Sequence, residues 1–292
     1  MKFGRARWRR IVLLALGLCL AEAAWADNAT PGFYGDGICR FSFNQYGLSK
    51  ANQEKFDLIV GDLLRRHEDA FGFLVSTNLH VRIRIFGTFE GYRHFAQTND
   101  SGFEHQGMSI SNIAGYYSGR DNEVVTWRQR EPAYLANNIL HECSHAIMHQ
   151  QFRALPIWLD EGCAVYFSYP AYMRTEYDDL VLRSRWFELR KRLQERSLPD
   201  LRKFLNYQPE EFYSRDPQMD YAAGWSLFQL FMSTPENRQA LNRLVLEYQK
   251  PASKPPDCAQ LLNKFYPGGL AKMDKDWHGW IVRGAANVLG TP

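Results

Sequence analysis

His141, Glu142 and His145 are the residues of this 292-residue chain whose types and spacing best support chemistry. If residues 132–152 form a helix, the two histidines stand one turn apart on one face, the spacing at which two imidazoles grip one metal ion. Glu142 lies beside that face and is suited to take a proton from water and pass it to a leaving group. After a break at Pro156 comes Trp158-Leu159-Asp160-Glu161-Gly162, which offers carboxylates on a second helix. With a turn near 153–156, His145 lies about 10 Å before it and Glu161 about 8 Å after it along antiparallel helices, at roughly 1.5 Å per residue. The side chains come level. Two imidazoles and one carboxylate leave a fourth tetrahedral position open for water, as a catalytic zinc site requires.

Neighbouring residues narrow the ligand set without closing it. A third-histidine arrangement would want glycine at 148 and histidine at 151, and the chain has Met148 and Gln151. The third ligand is therefore expected on the second helix. Asp160 and Glu161 are about 100° apart around that helix, so they cannot face one ion equally, and spacing alone does not choose between them. Cys143 is about 200° round from His141 and should point away from the histidines.

The elements that hold these residues are legible as periodicities. Pro132 suits a helix start, and Leu135, Ile139, Ile147 and Phe152 anchor the helix that carries both histidines. Upstream, 38–44 reads as a short strand. Ser49 is a candidate N-cap for a helix with Phe56, Val60, Leu63 and His67 on one face. Val81, Ile83 and Ile85 alternate with Arg82 and Arg84 in a strand over 79–86, and a short helix follows at 88–96. Within 108–127, the runs 113–118 and 123–127 flank Gly119-Arg120-Asp121-Asn122 and predict an antiparallel hairpin. That hairpin is either an ordinary sheet edge or a place where an extended peptide adds as a strand, with Gly115, Tyr116 and Tyr117 as the binding residues.

From 171 onward the chain reads as mostly helical. Leu182, Trp186, Leu189 and Leu193 form an apolar stripe, and the arginines and lysine around them form a solvated face. One helix is expected to begin at Tyr221, and a last one over 274–288 is anchored by Trp277 and Ile281. The fold class expected is α+β, with a small N-terminal mixed-sheet lobe bearing an edge hairpin, then a metal-binding helix pair and a mostly helical C-terminal lobe. The expected divisions are 1–26, 27–131, 132–169 and 170–292, with 27–292 one catalytic unit and the metal in the cleft between lobes.

Residues 1–26 read as a secretory leader. Five basic residues precede an apolar stretch over 11–20, and Ala24-Trp25-Ala26 offers a cleavage site. About ten unbroken apolar residues fall short of the roughly 20 that span a bilayer, and Leu18 before Cys19 does not suit lipid attachment. The leader carries five basic residues against one acid, so its removal takes the formal charge from +3 to −1. No basic face for nucleic acid is implied. The expected location is periplasmic or secreted, with no transmembrane segment after leader removal. Cys39, Cys143, Cys163 and Cys258 remain and allow three full disulfide pairings.

The combination of His141-Glu142-x-x-His145 with Trp158-Leu159-Asp160-Glu161-Gly162 resembles the gluzincin clan of zinc metallopeptidases. It is most similar to the exported bacterial peptidase MA-like families and, more distantly, to aminopeptidases with a Trp-Leu-Asn-Glu-Gly segment. The resemblance covers about 22 residues tightly. It implies zinc, one ion per chain, held by His141, His145 and Glu161. It also implies Glu142 as general base and Asp160 in the place of an asparagine that supports the ligands from behind. A tyrosine opening a later helix steadies the oxyanion in related aminopeptidases, which carries over to Tyr221, with Tyr213 as a rival. The expected partner is a peptide or protein substrate. A zinc-binding scaffold without turnover and a hydrolase of cell-wall amides stand as alternatives.

Overall fold

The computed structural model describes residues 32–72, 79–99, 113–152, 154–251 and 253–283. The expected leader, residues 108–112 and residues 284–288 of the expected last helix lie outside the described residues. The architecture is mixed α and β: a small four-stranded sheet near the N-terminus, then a mostly helical region. The chain divides into two compact units, one of Met1–Arg66, Leu74–Ile147 and Phe167–Arg174, the other of His67–Phe73, Met148–Tyr166 and Thr175–Pro292. The division runs through three helices.

In the first unit the strands are β1 (Cys39–Asn44), β2 (Val81–Phe86), β3 (Gly115–Ser118) and β4 (Glu123–Trp127), in the order β1-β2-β4-β3. β1 pairs parallel with β2 and β2 parallel with β4, while β3 and β4 form the antiparallel hairpin with β3 at the edge. Helix α1 (Lys50–Phe71) links β1 to β2, and α2 (Phe89–Asn99) follows β2. The alternation in β2 is real: Val81, Ile83 and Ile85 are buried, and Ile83 sits in register with Phe41 and Val124. On the other face Arg84 forms an ion pair with buried Glu123 and donates to Ser42 Oγ at 3.2 Å. Ser49 accepts from the Asn52 amide at 3.3 Å, and Phe56, Val60, Leu63 and His67 are all buried along α1.

Helices α3 (Pro132–Gln151) and α4 (Ile157–Ser168) carry the residues singled out in the sequence. The second unit adds α5 (Glu176–Gln194), the short α6 (Leu201–Phe204) and α7 (Pro209–Ser214), then α8 (Pro217–Met232), α9 (Pro235–Tyr248), α10 (Cys258–Phe265) and α11 (Gly269–Arg283). Their starts follow side-chain chemistry. Thr175, Asp200, Asp216, Thr234 and Asp257 each cap a first turn by accepting a backbone N–H. Two starts differ from the sequence reading. α8 begins four residues before Tyr221, because Asp216 caps it and Pro217 suits its first turn. α11 begins at Gly269 rather than Asp274, after Gly268 and Gly269 take positive φ values of 86° and 77°.

α8 is the central helix of this unit, with Ala222, Ala223, Leu227, Phe228 and Phe231 at 1% exposure or less. Two indole N–H groups tie its surroundings together: Trp277 donates to Ser226 Oγ and Trp186 to the Ile281 carbonyl, each at 2.8 Å. In α5, Leu182, Trp186 and Leu189 are buried, and Arg192 on the solvated side pairs with Glu188 and Asp216 at 2.7 Å. No described helix is long and apolar enough to cross a membrane.

Candidate metal centre

Helix α3 is buried nearly all round: Leu135, Ala136, Ile139, Leu140, Cys143, Ala146, Ile147 and Met148 are fully inaccessible. Polar groups on such a helix are costly unless something answers them. His141, Glu142, Ser144 and His145 are nonetheless there, and only His141 among them is more than marginally exposed. The two imidazoles meet edge to face, 4.9 Å between centroids and 80° between planes, with Nε2 of each 3.3 Å from Nε2 of the other. On the far side of the first ring, Ser168 Oγ lies 3.5 Å from His141 Nδ1.

Glu142 is 5% exposed, one residue past His141. The Asn138 side-chain amide donates to its Oε1 at 3.5 Å. Its charge is felt by two neighbours. Burial, and after it Glu142, pushes the Cys143 thiol well up, and burial followed by Glu142 does the same to the Tyr92 phenol on α2. Both therefore stay protonated and neutral beside the carboxylate.

On α4, Asp160 and Glu161 point to different partners, as the 100° between them requires. Asp160 Oδ2 lies 2.8 Å from His149 Nε2, one turn beyond His145 on α3. Glu161 is 4% exposed and accepts a hydrogen bond from the Tyr213 hydroxyl on α7. Burial first, then the charge of Glu161, holds the Tyr213 phenol well above its ordinary pKa, so it remains a donor. Tyr221 on α8 lies beside it, with ring centroids 6.4 Å apart and Phe212 packed against both.

Gly162 has a steric reason to follow Glu161. A Cβ there would sit 2.3 Å from the Gly224 carbonyl oxygen, and a Cβ on Gly224 would sit 2.8 Å from the Trp158 carbonyl oxygen. The backbones of α4 and α8 thus touch without an intervening side chain, which only glycine permits.

Two groups of side chains could hold a metal ion among the described residues: His141, His145 and Glu161, and His145, His149 and Asp160. In each, one ligand atom per residue lies within 4.8 Å of the others. The first matches the ligand set expected from sequence. Its donors, two imidazoles and a carboxylate, are those that borderline divalent metals accept. Asp160, expected behind the ligands, belongs to the second.

The hairpin residues have defined places in the first unit. Tyr116 is buried with Phe86, Tyr92, Ala96 and Val125. Tyr117 is half-buried and donates to Asn122 Oδ1 of the turn at 3.0 Å. At Gly115 a Cβ would come 2.3 Å from Asn138 Oδ1, so this glycine admits the asparagine that reaches Glu142. The four described cysteines are buried, and none is in a disulfide among the described residues. Cys143 lies in the core, as its angular offset predicts, and Cys163 Sγ meets the buried His67 Nε2 at 3.6 Å.

Sequence reasoning named Tyr213 only as a rival to Tyr221 and did not name Asn138 or Thr126. Asn138 carried a signal, since it precedes Glu142 by one helical turn. No protein-family model matches the chain, and no curated protein matches it.

Proposed function

We propose that this chain is an exported zinc-dependent metallopeptidase of the gluzincin type, hydrolysing peptide bonds with a glutamate general base. The observation that carries the reading is the 3.3 Å between His141 Nε2 and His145 Nε2 in a buried site. Two imidazoles bound tetrahedrally to one ion at about 2.05 Å each are separated by roughly the same distance. His141, His145 and Glu161 would hold the ion. When bound, zinc supplies a Lewis acid that polarises the scissile carbonyl and acidifies water.

The chain's own residues do the rest. Glu142, one residue from the first histidine and buried, accepts the proton of the attacking water and returns it to the leaving amine nitrogen. Tyr213 donates to Glu161 and so fixes which way that carboxylate turns. Tyr221 offers a hydroxyl for the oxyanion that develops on the carbonyl oxygen. β3, at the sheet edge, is where an extended peptide would add.

The test is metal content and peptide-library turnover on the protein without residues 1–26, beside Glu142→Ala. About one zinc in both proteins with cleavage by the wild type alone supports the reading. Absence of zinc from the wild type refutes the site. Zinc in both with cleavage by neither refutes the peptidase.

A further inference from the structure

Between the sheet edge and Glu142 runs a short polar chain that the proposed mechanism does not use. Thr126 on β4 is fully buried, and its Oγ1 lies 2.8 Å from Asn138 Oδ1 and 2.9 Å from the Ala114 carbonyl oxygen. Asn138 in turn reaches Glu142 Oε1 through Nδ2 at 3.5 Å. Gly115, paired with Thr126 across the hairpin, leaves the room Asn138 occupies.

The threonine hydroxyl has one proton for three acceptors, the third being the more distant Trp127 carbonyl oxygen at 3.5 Å. If it goes to Asn138 Oδ1, the asparagine turns its N–H groups toward the carboxylate and steadies the ionised form. If it goes to the Ala114 or Trp127 carbonyl, the threonine no longer selects the amide orientation, and the asparagine oxygen could face the carboxylate instead. The amide orientation next to Glu142 is thus set by a residue of the hairpin. The 3.5 Å separation is long for a hydrogen bond, as contacts to acid–base groups often are before substrate is present.

We infer that Asn138 is a positioning residue for Glu142, oriented by Thr126, so that the β3–β4 hairpin sets the aim of the general base. The inference rests on the peptidase reading for its kinetic consequence but not for the hydrogen-bond chain itself. A carboxylate that loses this contact loses part of its alignment with the attacking water, and small misplacements at such a group cost on the order of ten- to a hundredfold in rate.

The experiment has two readouts on the full chain without residues 1–26. In chelator-treated protein, melting is followed for Asn138→Ala, Glu142→Ala and the double variant. Contact between the two side chains makes the double variant lose less, or gain more, than the two single effects added. Strict additivity overturns the inference. In zinc-loaded protein, kcat and KM are measured for Asn138→Ala, Thr126→Val and Thr126→Ser. The expected result is kcat down about tenfold or more for the first two, with KM within about twofold and zinc content unchanged, and recovery in Thr126→Ser, which keeps the hydroxyl. An unchanged kcat in folded Asn138→Ala overturns the inference, as does equal loss in both Thr126 variants. Should the wild type bind no zinc or cleave nothing, the peptidase reading falls, and the melting cycle alone decides whether Asn138 holds Glu142.

Discussion

The middle and the C-terminal end of one helix make instructive opposites. Near the middle of α3, His141 and His145 turn like atoms toward each other, Nε2 to Nε2 at 3.3 Å. One turn further, His149 turns its Nε2 toward a carboxylate, Asp160 Oδ2, at 2.8 Å. The sequence spacing is the same in both steps, four residues. An imidazole facing a carboxylate forms a hydrogen-bonded pair complete in itself, with one donor and one acceptor. Two imidazole nitrogens can share a single proton, or both can offer lone pairs to one cation. Histidines spaced four apart are therefore not a metal site by spacing alone; what faces them decides.

The sharpest way to break this contrast is to remove one histidine from each place. His141→Ala should reduce bound zinc from about one per chain to near none, while His149→Ala should retain it, measured by metal analysis after dialysis. Retention in the first and loss in the second would move the centre to the His145, His149 and Asp160 group. The next effect concerns chemistry at an intact centre. Glu142→Ala should lower turnover by about 10²–10⁴-fold with metal content unchanged, read from progress curves on a peptide pool.

A smaller effect sharpens the ligand assignment on α4. Tyr213→Phe keeps the ring and removes the donor to Glu161, and zinc affinity should fall about 10- to 100-fold in a chelator competition. Undiminished affinity would leave Glu161 without a role for that bond in metal binding. The smallest effect is on stability. Burial first, then Asp216, with Arg215 opposing, pushes the Asp220 carboxyl up to about 7 from an ordinary 3.8. The folded form holds this proton where the unfolded chain has released it, so stability falls as pH rises from about 4 to about 7. Asp220→Asn should remove that slope and melt higher than wild type at pH 8, with little difference at the acid end of the window. Parallel melting curves against pH would show that Asp220 is not the source.

Much of the fold was legible because its signals are local. The β2 alternation, the helical face of α1 and the Gly119–Asn122 turn depend on residues within a few positions of each other, and each element formed where expected. The same holds for His141, Glu142 and His145, which a single helix places. Glu161 needed the resemblance to separate it from Asp160. What escaped reading depends on contacts across the chain. Tyr213 meets Glu161 from 52 residues away, and Thr126 meets Asn138 from 12, on a strand rather than the same helix. The start of α8 was missed for a local reason: Tyr221 opened the recognisable pattern, whereas Asp216 and Pro217, the capping pair, precede it.

The glycine pair has a consequence for engineering. Because the carbonyl oxygen of Gly224 fills the space where Gly162 would carry a side chain, the separation between the backbones of α4 and α8 is a bare steric limit. Repacking the apolar side chains of that unit by library selection leaves the limit where it is. One methyl group at either glycine resets it, and with it the spacing of Glu161 from Tyr221, two residues that such a library need never touch.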